Sequence, residues 1–140
     1  MSARTFVDSN VLIYAYDSEA GTKHRIANSI LRELWEQRLG VLSIQVLQEF
    51  YVNVTRKIPK PIPKSKARSF VESFMGWCSD TTTAEIMTAF RIEDECRINF
   101  WDALIVASAI KRGADRILSE DLNAGQRIAG ILIENPFVLQ

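Results

Sequence analysis

The sequence predicts an α/β domain: a short and mainly parallel central sheet flanked by helices on both faces. Three observations predict it. Short apolar runs alternate with longer stretches of helical periodicity. The apolar runs are continuous, as in strands buried on both faces. No hairpin signal such as Asn-Gly joins two of them. The 140 residues, 47% hydrophobic and 24% charged, fit one folded domain over 1–140, with no linker, repeat or low-complexity segment.

Thr5-Phe6-Val7 is the first strand. Asp8-Ser9-Asn10 stops it, because these side-chain oxygens accept from free backbone N–H groups and start a helix, here Val11 to Tyr16. After a break at Asp17-Ser18 and Gly21, Ile26, Ile30 and Leu34, with Ala27, Leu31 and Trp35, recur at helical spacing from Lys23 to Arg38. Gly40 suits the stop after that helix. Val41-Leu42 is a second strand. Ser43 can cap a helix to about Lys57, with Val46, Leu47, Phe50, Tyr51 and Val54 on its apolar side, and Pro59, Pro61 and Pro63 end it.

A helix is expected from Ser65 to Trp77, a third strand at Thr81-Thr82-Thr83, and a helix from Ala84 to about Arg97. Asn99 caps the next helix, Phe100 to Lys111, which Gly113 ends. Arg116-Ile117-Leu118-Ser119 is the fourth strand and Ile131-Leu132-Ile133 the fifth, closed by Pro136. Trp35, Trp77 and Trp101 read as core or interface residues.

Seventeen basic residues offset seventeen acidic ones. Coating nucleic acid by bulk charge is excluded, so polyanion binding must use a local patch. Cys78 and Cys96 lie outside any CxxC pattern and read as reduced core thiols, and the lone His24 has no clustered partner, so zinc, haem and disulfide chemistry recede. The first residues carry no long apolar run, and none elsewhere could span a bilayer. A cytoplasmic protein that does not enter membranes is expected.

Ligands of a parallel sheet bind beyond the carboxyl ends of its strands. Asp8 ends the first strand, Glu120 and Asp121 follow the fourth, Asp102 lies in the first turn of the helix capped by Asn99, and Glu49 interrupts an apolar helical run. Each alone has a structural explanation: Asp8 and Asp102 suit helix starts, Glu49 can reach solvent, and Glu120-Asp121 can form a turn. Together, carboxylates from four separate segments would converge on one edge. They repel one another, and a hard divalent cation removes that cost. Mg²⁺ and Mn²⁺ prefer oxygen ligands and keep several waters, so two or three carboxylates suffice. The chemistry that follows is metal-assisted phosphodiester hydrolysis.

Four blocks carry a resemblance: Phe6-Val7-Asp8-Ser9-Asn10-Val11-Leu12-Ile13-Tyr14, Ser43-Ile44-Gln45-Val46-Leu47-Gln48-Glu49-Phe50-Tyr51, Phe100-Trp101-Asp102-Ala103-Leu104-Ile105-Val106-Ala107-Ser108-Ala109 and Ile117-Leu118-Ser119-Glu120-Asp121-Leu122. In order and separation they resemble the four motifs of PIN domains, and in detail the VapC-type toxins of bacterial toxin–antitoxin pairs. The resemblance covers nearly the whole chain. It implies an endoribonuclease on the PIN fold that depends on Mg²⁺ or Mn²⁺, and it makes Asp8, Glu49, Asp102 and Asp121 the acidic quartet. Ser9 and Asn10 match the small polar pair beside the first aspartate, and Ser119 the hydroxyl residue two before the fourth acid. Asp8 and Asp102 are assigned as principal metal ligands, with Glu49 and Asp121 orienting water or holding a second ion. Glu120 adjoins Asp121, and strand alternation lets only one of them face the cleft easily. The resemblance further implies an antitoxin whose tail occupies the cleft, and a homodimer.

Arg56, Lys57, Lys60, Lys64, Lys66 and Arg68 form the one strongly basic stretch, with no acid among them. It reads either as a solvated proline-rich loop or as an RNA-backbone contact, for which Lys57, Lys60, Lys64 and Lys66 are the candidates. One rival is a catalytically inactive PIN-fold interaction module. The other is a phosphoacceptor receiver domain, which would want an acidic pair near the end of the first strand, where Arg4-Thr5-Phe6-Val7 stands instead.

Overall fold

Strand β1 (Arg4–Val7) leads through helices α1 (Ser9–Tyr16) and α2 (Thr22–Gln37) to β2 (Gly40–Val41). Helices α3 (Ile44–Arg56), α4 (Lys64–Phe74), α5 (Thr83–Cys96) and α6 (Phe100–Lys111) then carry the chain to β3 (Ala114–Leu118), β4 (Arg127–Ile128) and β5 (Ile131–Glu134). The computed structural model describes residues 4–122 and 124–138. The strands lie in the order β2-β1-β3-β5-β4, parallel except for the antiparallel pair β4–β5. The chain leaves β1 in one direction to form β2, then crosses back over β1 to form β3. That reversal opens a crevice beyond the carboxyl ends of β1 and β3, where Asp8 and Ser119 follow directly.

Local chemistry sets the helix starts. Asp8, Ser43, Thr82 and Asn99 are the N-caps of α1, α3, α5 and α6, each with its side-chain oxygen on a free backbone N–H. Helix α1 packs on α2 and α3, and α3 on α4; α5 packs on α6, which lies against β3 and β5. Phe6 and Val7 of β1, Leu12 of α1, Val46 and Phe50 of α3, Val106 of α6, Ile117 of β3 and Ile133 of β5 are fully buried in one core. Helix α6 is buried from Ala103 through Ala109, which explains why its apolar residues form no single stripe.

One polar cluster ties α5 to α6. Glu85, 2% exposed, accepts a hydrogen bond from Ser108 Oγ at 2.9 Å and faces Lys111 Nζ at 3.1 Å and Arg112 Nη1 at 3.6 Å. The Arg112 guanidinium also donates to the carbonyls of Ser108 and Ser79.

Several expectations need correction. Thr81-Thr82-Thr83 is not a strand, because Thr82 is committed to capping α5. The helix expected to run to Trp77 ends at Phe74 and continues as one 3-10 turn, Met75–Trp77. A hairpin joins β4 to β5 through Ala129 and Gly130, at φ 50° and 85°. Two successive positive φ values make the kind of turn that Asn-Gly usually supplies, and an alanine at the first position hides it. Arg38, at φ 59°, ends α2, so Gly40 does not stop that helix. Gly40 is needed for another reason: a Cβ there would fall 2.2 Å from the Trp77 ring. Trp101 and Trp35 are 63% and 47% exposed and so are not core residues. Both cysteines are unpaired and half-buried, and burial pushes the Cys78 thiol up to about 11 despite the nearby Arg112 charge. Among the described residues no helix is long and apolar enough to cross a membrane.

Candidate active site

Asp8 is the hub of the crevice. It follows β1, its N–H donates to the Leu118 carbonyl at 2.9 Å, and it is 5% exposed. Its Oδ1 accepts from the Ser9 N–H at 2.7 Å and its Oδ2 from Ser119 Oγ at 2.7 Å. Burial pushes its pKa up to about 6; the bonds from Ser119 and the Ser9 N–H oppose the rise, and the charges of Glu49 and Asp121 add to it.

The small polar residues bind the segments together. Ser9 Oγ donates to Glu49 Oε2 at 2.7 Å, so α1 holds a carboxylate of α3, and Gln45 Nε2 holds the other oxygen of Glu49 at 2.9 Å. Asn10 Nδ2 lies 3.4 Å from Asp8 Oδ2, 3.4 Å from Ser119 Oγ and 3.1 Å from Asp121 Oδ2, while Asn10 Oδ1 accepts from the Glu120 N–H at 3.0 Å. Ser119 Oγ donates to Asp8 and accepts from the N–H groups of Asp121 and Leu122 at 3.1 and 3.2 Å. The turn after β3 is thereby built on one hydroxyl.

Asp102 enters from the first turn of α6. Asn99 accepts from the Asp102 N–H at 2.9 Å and donates to Asp102 Oδ2 at 2.8 Å, a reciprocal cap. Partial burial raises the pKa of Asp102, the Asn99 bond opposes this, and the charges of Asp121 and Glu49 raise it further. The charges of Glu49 and Asp121 thus act on both Asp8 and Asp102.

The adjacent acids after β3 separate. Asp121 joins Asn10, whereas Glu120 takes a hydrogen bond from Tyr14 Oη at 2.7 Å and an ion pair from Lys23. Burial alone would raise Glu120, but the Lys23 and Tyr14 contacts outweigh it and hold the carboxyl below its ordinary value. Of the basic stretch, Lys57, Lys60, Lys64 and Lys66 are exposed, and none contacts these carboxylates. Lys60 pairs with Glu19 at 2.8 Å, and Lys66 lies over the Phe70 ring at 5.9 Å.

The sequence did not single out Gln45, Tyr14 and Lys23. Gln45 stands four residues before Glu49, a spacing that places both on one helix face. Tyr14 and Lys23 reach Glu120 through tertiary packing, which leaves no local signal.

The donors are all oxygen, the chemistry that hard divalent cations take. Among the described residues no group of three or more His, Cys, Asp or Glu side chains stands where it could hold a metal ion. An all-oxygen set of this kind could serve only an ion that keeps much of its own water.

Comparison with solved structures finds the same fold at low identity. The VapBC2 complex of Rickettsia felis, bound to a DNA fragment from its promoter, shares 20% identity over 94% of this chain and 97% of its own, with TM-score 0.64. A toxin-antitoxin complex from Klebsiella pneumoniae shares 16% over 96% and 99%, with TM-score 0.69. VapC20 of Mycobacterium tuberculosis, a Sarcin-Ricin loop cleaving toxin, shares 17% over 84% and 89%, with TM-score 0.60. No curated protein matches the chain significantly in sequence. The family model described as PIN domain matches residues 5–130, from β1 through the turn before β5. A chain with that match, and with its strand order reversing at Asp8, belongs to the PIN domain family.

Proposed function

We propose that this chain is a divalent-metal-dependent endoribonuclease, a phosphodiester hydrolase, and the toxin of a type II toxin–antitoxin pair. The observation that carries the reading is Asp8: a nearly buried carboxylate in the electrostatic field of Glu49 and Asp121, with its pKa raised and with no cationic partner among the described residues. A carboxylate kept in that state weakens the apo fold, and a bound dication relieves the cost. Asp8 and Asp102 would hold Mg²⁺ or Mn²⁺, and Glu49 and Asp121 would position water or hold a second ion. Ser9, Asn10 and Ser119 fix the carboxylates through the bonds described above. When bound, the ion supplies the Lewis acidity that phosphodiester hydrolysis needs. The chain's own part is positioning, since Ser9 and Gln45 each hold one Glu49 oxygen and leave its remaining lone pairs free for water.

The R. felis and K. pneumoniae complexes support a cognate antitoxin as partner, and the M. tuberculosis toxin supports RNA as substrate. The toxin acts in the cytoplasm as a homodimer. Incubation of purified protein with a structured RNA tests the reaction. Cleavage is expected with Mg²⁺ or Mn²⁺ and none in excess chelator; full cleavage in chelator, by protein cleared of other nucleases, overturns the mechanism.

Lys57, Lys60, Lys64 and Lys66 are the candidate RNA contact. Changing Lys60, Lys64 and Lys66 together to Ala is expected to weaken RNA binding and to flatten its dependence on salt by up to about three counterions, with little change in maximal rate. An unchanged slope of log affinity against log salt makes the stretch solvated surface only.

A further inference from the structure

The opposite edge of the sheet carries a hollow of a different character. Arg4 and Gly40 at the amino ends of β1 and β2, Arg38 after α2, and Lys111 and Arg112 at the end of α6 surround a cavity of about 600 Å³, a size suited to a small ligand. Its cations are Arg4, Arg38, Lys111 and Arg112, and among the described residues no carboxylate lines it. Glu85 answers Lys111 and Arg112 from outside the lining, so one acid stands against four cations in a chain whose net charge is zero. The Arg112 side chain is 5% exposed, and its Nε has no hydrogen-bond partner among the described residues. A buried donor left unpaired costs free energy, and this one belongs to a wall of the cavity.

Two indoles, Trp35 and Trp77, share the rest of the wall with Val41, Ser73, Cys78 and Ser79, and Phe74 packs behind them. Trp35, half exposed, lies 5.4 Å from Trp77 at an interplanar angle of 35°, and Phe74 meets both rings edge-on. Trp77 is fixed by its contact with Gly40 and by its carbonyl, which accepts from the Leu42 N–H at 2.9 Å. Guanidinium and ammonium groups bind phosphate, and an exposed indole offers a stacking face to any base.

We propose that this hollow binds a nucleoside phosphate, with the phosphates on Arg4, Arg38 and Lys111 and the base on Trp35, while Arg112 supplies a fixed positive charge behind them. The site stands apart from the carboxylate crevice and does not depend on the function proposed there. A free nucleotide and a nucleotide within an RNA strand offer the same chemistry.

The test is calorimetric and fluorescence titration of the full chain with ADP, in chelator so that no metal-bridged binding at the carboxylates contributes. Saturable one-to-one binding that quenches tryptophan emission is expected. Arg38→Asn with Lys111→Gln should weaken it at least about tenfold, about 1.4 kcal/mol. Asn tolerates the left-handed backbone at position 38, so Arg38→Asn alone carries the same direction if the Lys111 change unfolds the protein. Trp35→Leu should weaken ADP but not inorganic pyrophosphate. Displacement of ADP by a short single-stranded RNA at lower concentration assigns the site to a strand; failure to displace assigns it to free nucleotide. The proposal is overturned if millimolar ADP does not bind, if the cavity variants leave affinity unchanged, or if pyrophosphate binds as well as ADP and Trp35→Leu affects neither, which marks an adventitious ion only.

Discussion

Replacing Asp8 with asparagine is expected to remove at least about a hundredfold of RNA cleavage, roughly 2.7 kcal/mol in barrier terms, while leaving the metal-free protein as stable or more so. Asn caps a helix about as well as Asp, so α1 should keep its start. What changes is the charge. The folded pKa of Asp8 is about 6 against an ordinary 3.8, so the folded state holds this proton more tightly than the unfolded chain. Stability from this group is then fully present below about pH 4 and is lost as pH rises through about 6. The difference, (6 − 3.8) × 1.36, makes the penalty at neutral pH on the order of 3 kcal/mol. Thermal melting between pH 5 and 7.5, with and without Mg²⁺, reads the effect. The wild type should lose more stability than the variant over that interval, and Mg²⁺ should restore it only in the wild type. An Asp8→Asn protein that cleaves at the wild-type rate and still gains stability from Mg²⁺ removes Asp8 from the site.

Glu85→Ala is the largest expected loss of stability, about 3–5 kcal/mol. The change leaves the almost fully buried Arg112 without its counter-charge and Ser108 Oγ without its acceptor. Glu85→Gln should cost less, since its amide oxygen can still accept from Ser108. The paired change Glu85→Leu with Arg112→Leu should recover much of the loss, because removing both charges removes the desolvation cost with the attraction. Urea unfolding of the variants, with the midpoint compared at constant slope, checks the order. A Glu85→Ala midpoint equal to wild type shows that water already reaches Arg112.

The strand ends and helix caps were legible because they are written in local chemistry. Asp8, Ser43 and Asn99 each announce a helix start, and each is the observed cap. The same logic was available at Thr82, where Thr82-Thr83-Ala84-Glu85 has the spacing of a capping box, but the run of threonines suggested a strand. The structure departs even from the box, since Glu85 turns inward to Ser108 instead of back to the cap. The hairpin stayed hidden because Ala129 takes a backbone conformation that alanine rarely adopts. At the candidate site strand alternation already set Glu120 apart from Asp121, but which of the two joins Asn10 was beyond sequence reading. It depends on Tyr14 and Lys23, which reach across from α1 and the start of α2.

The sheet ends on both sides in a strand of two residues, β2 and β4. Such short edges expose almost no unpaired backbone, so they give an incoming strand too little to zip against. Self-association by sheet extension, the usual route from a parallel sheet to a fibre, is blocked at each rim. A second copy or another protein that joins this molecule is therefore expected to grip it mainly by side chains and helix faces, with its selectivity set by shape and charge.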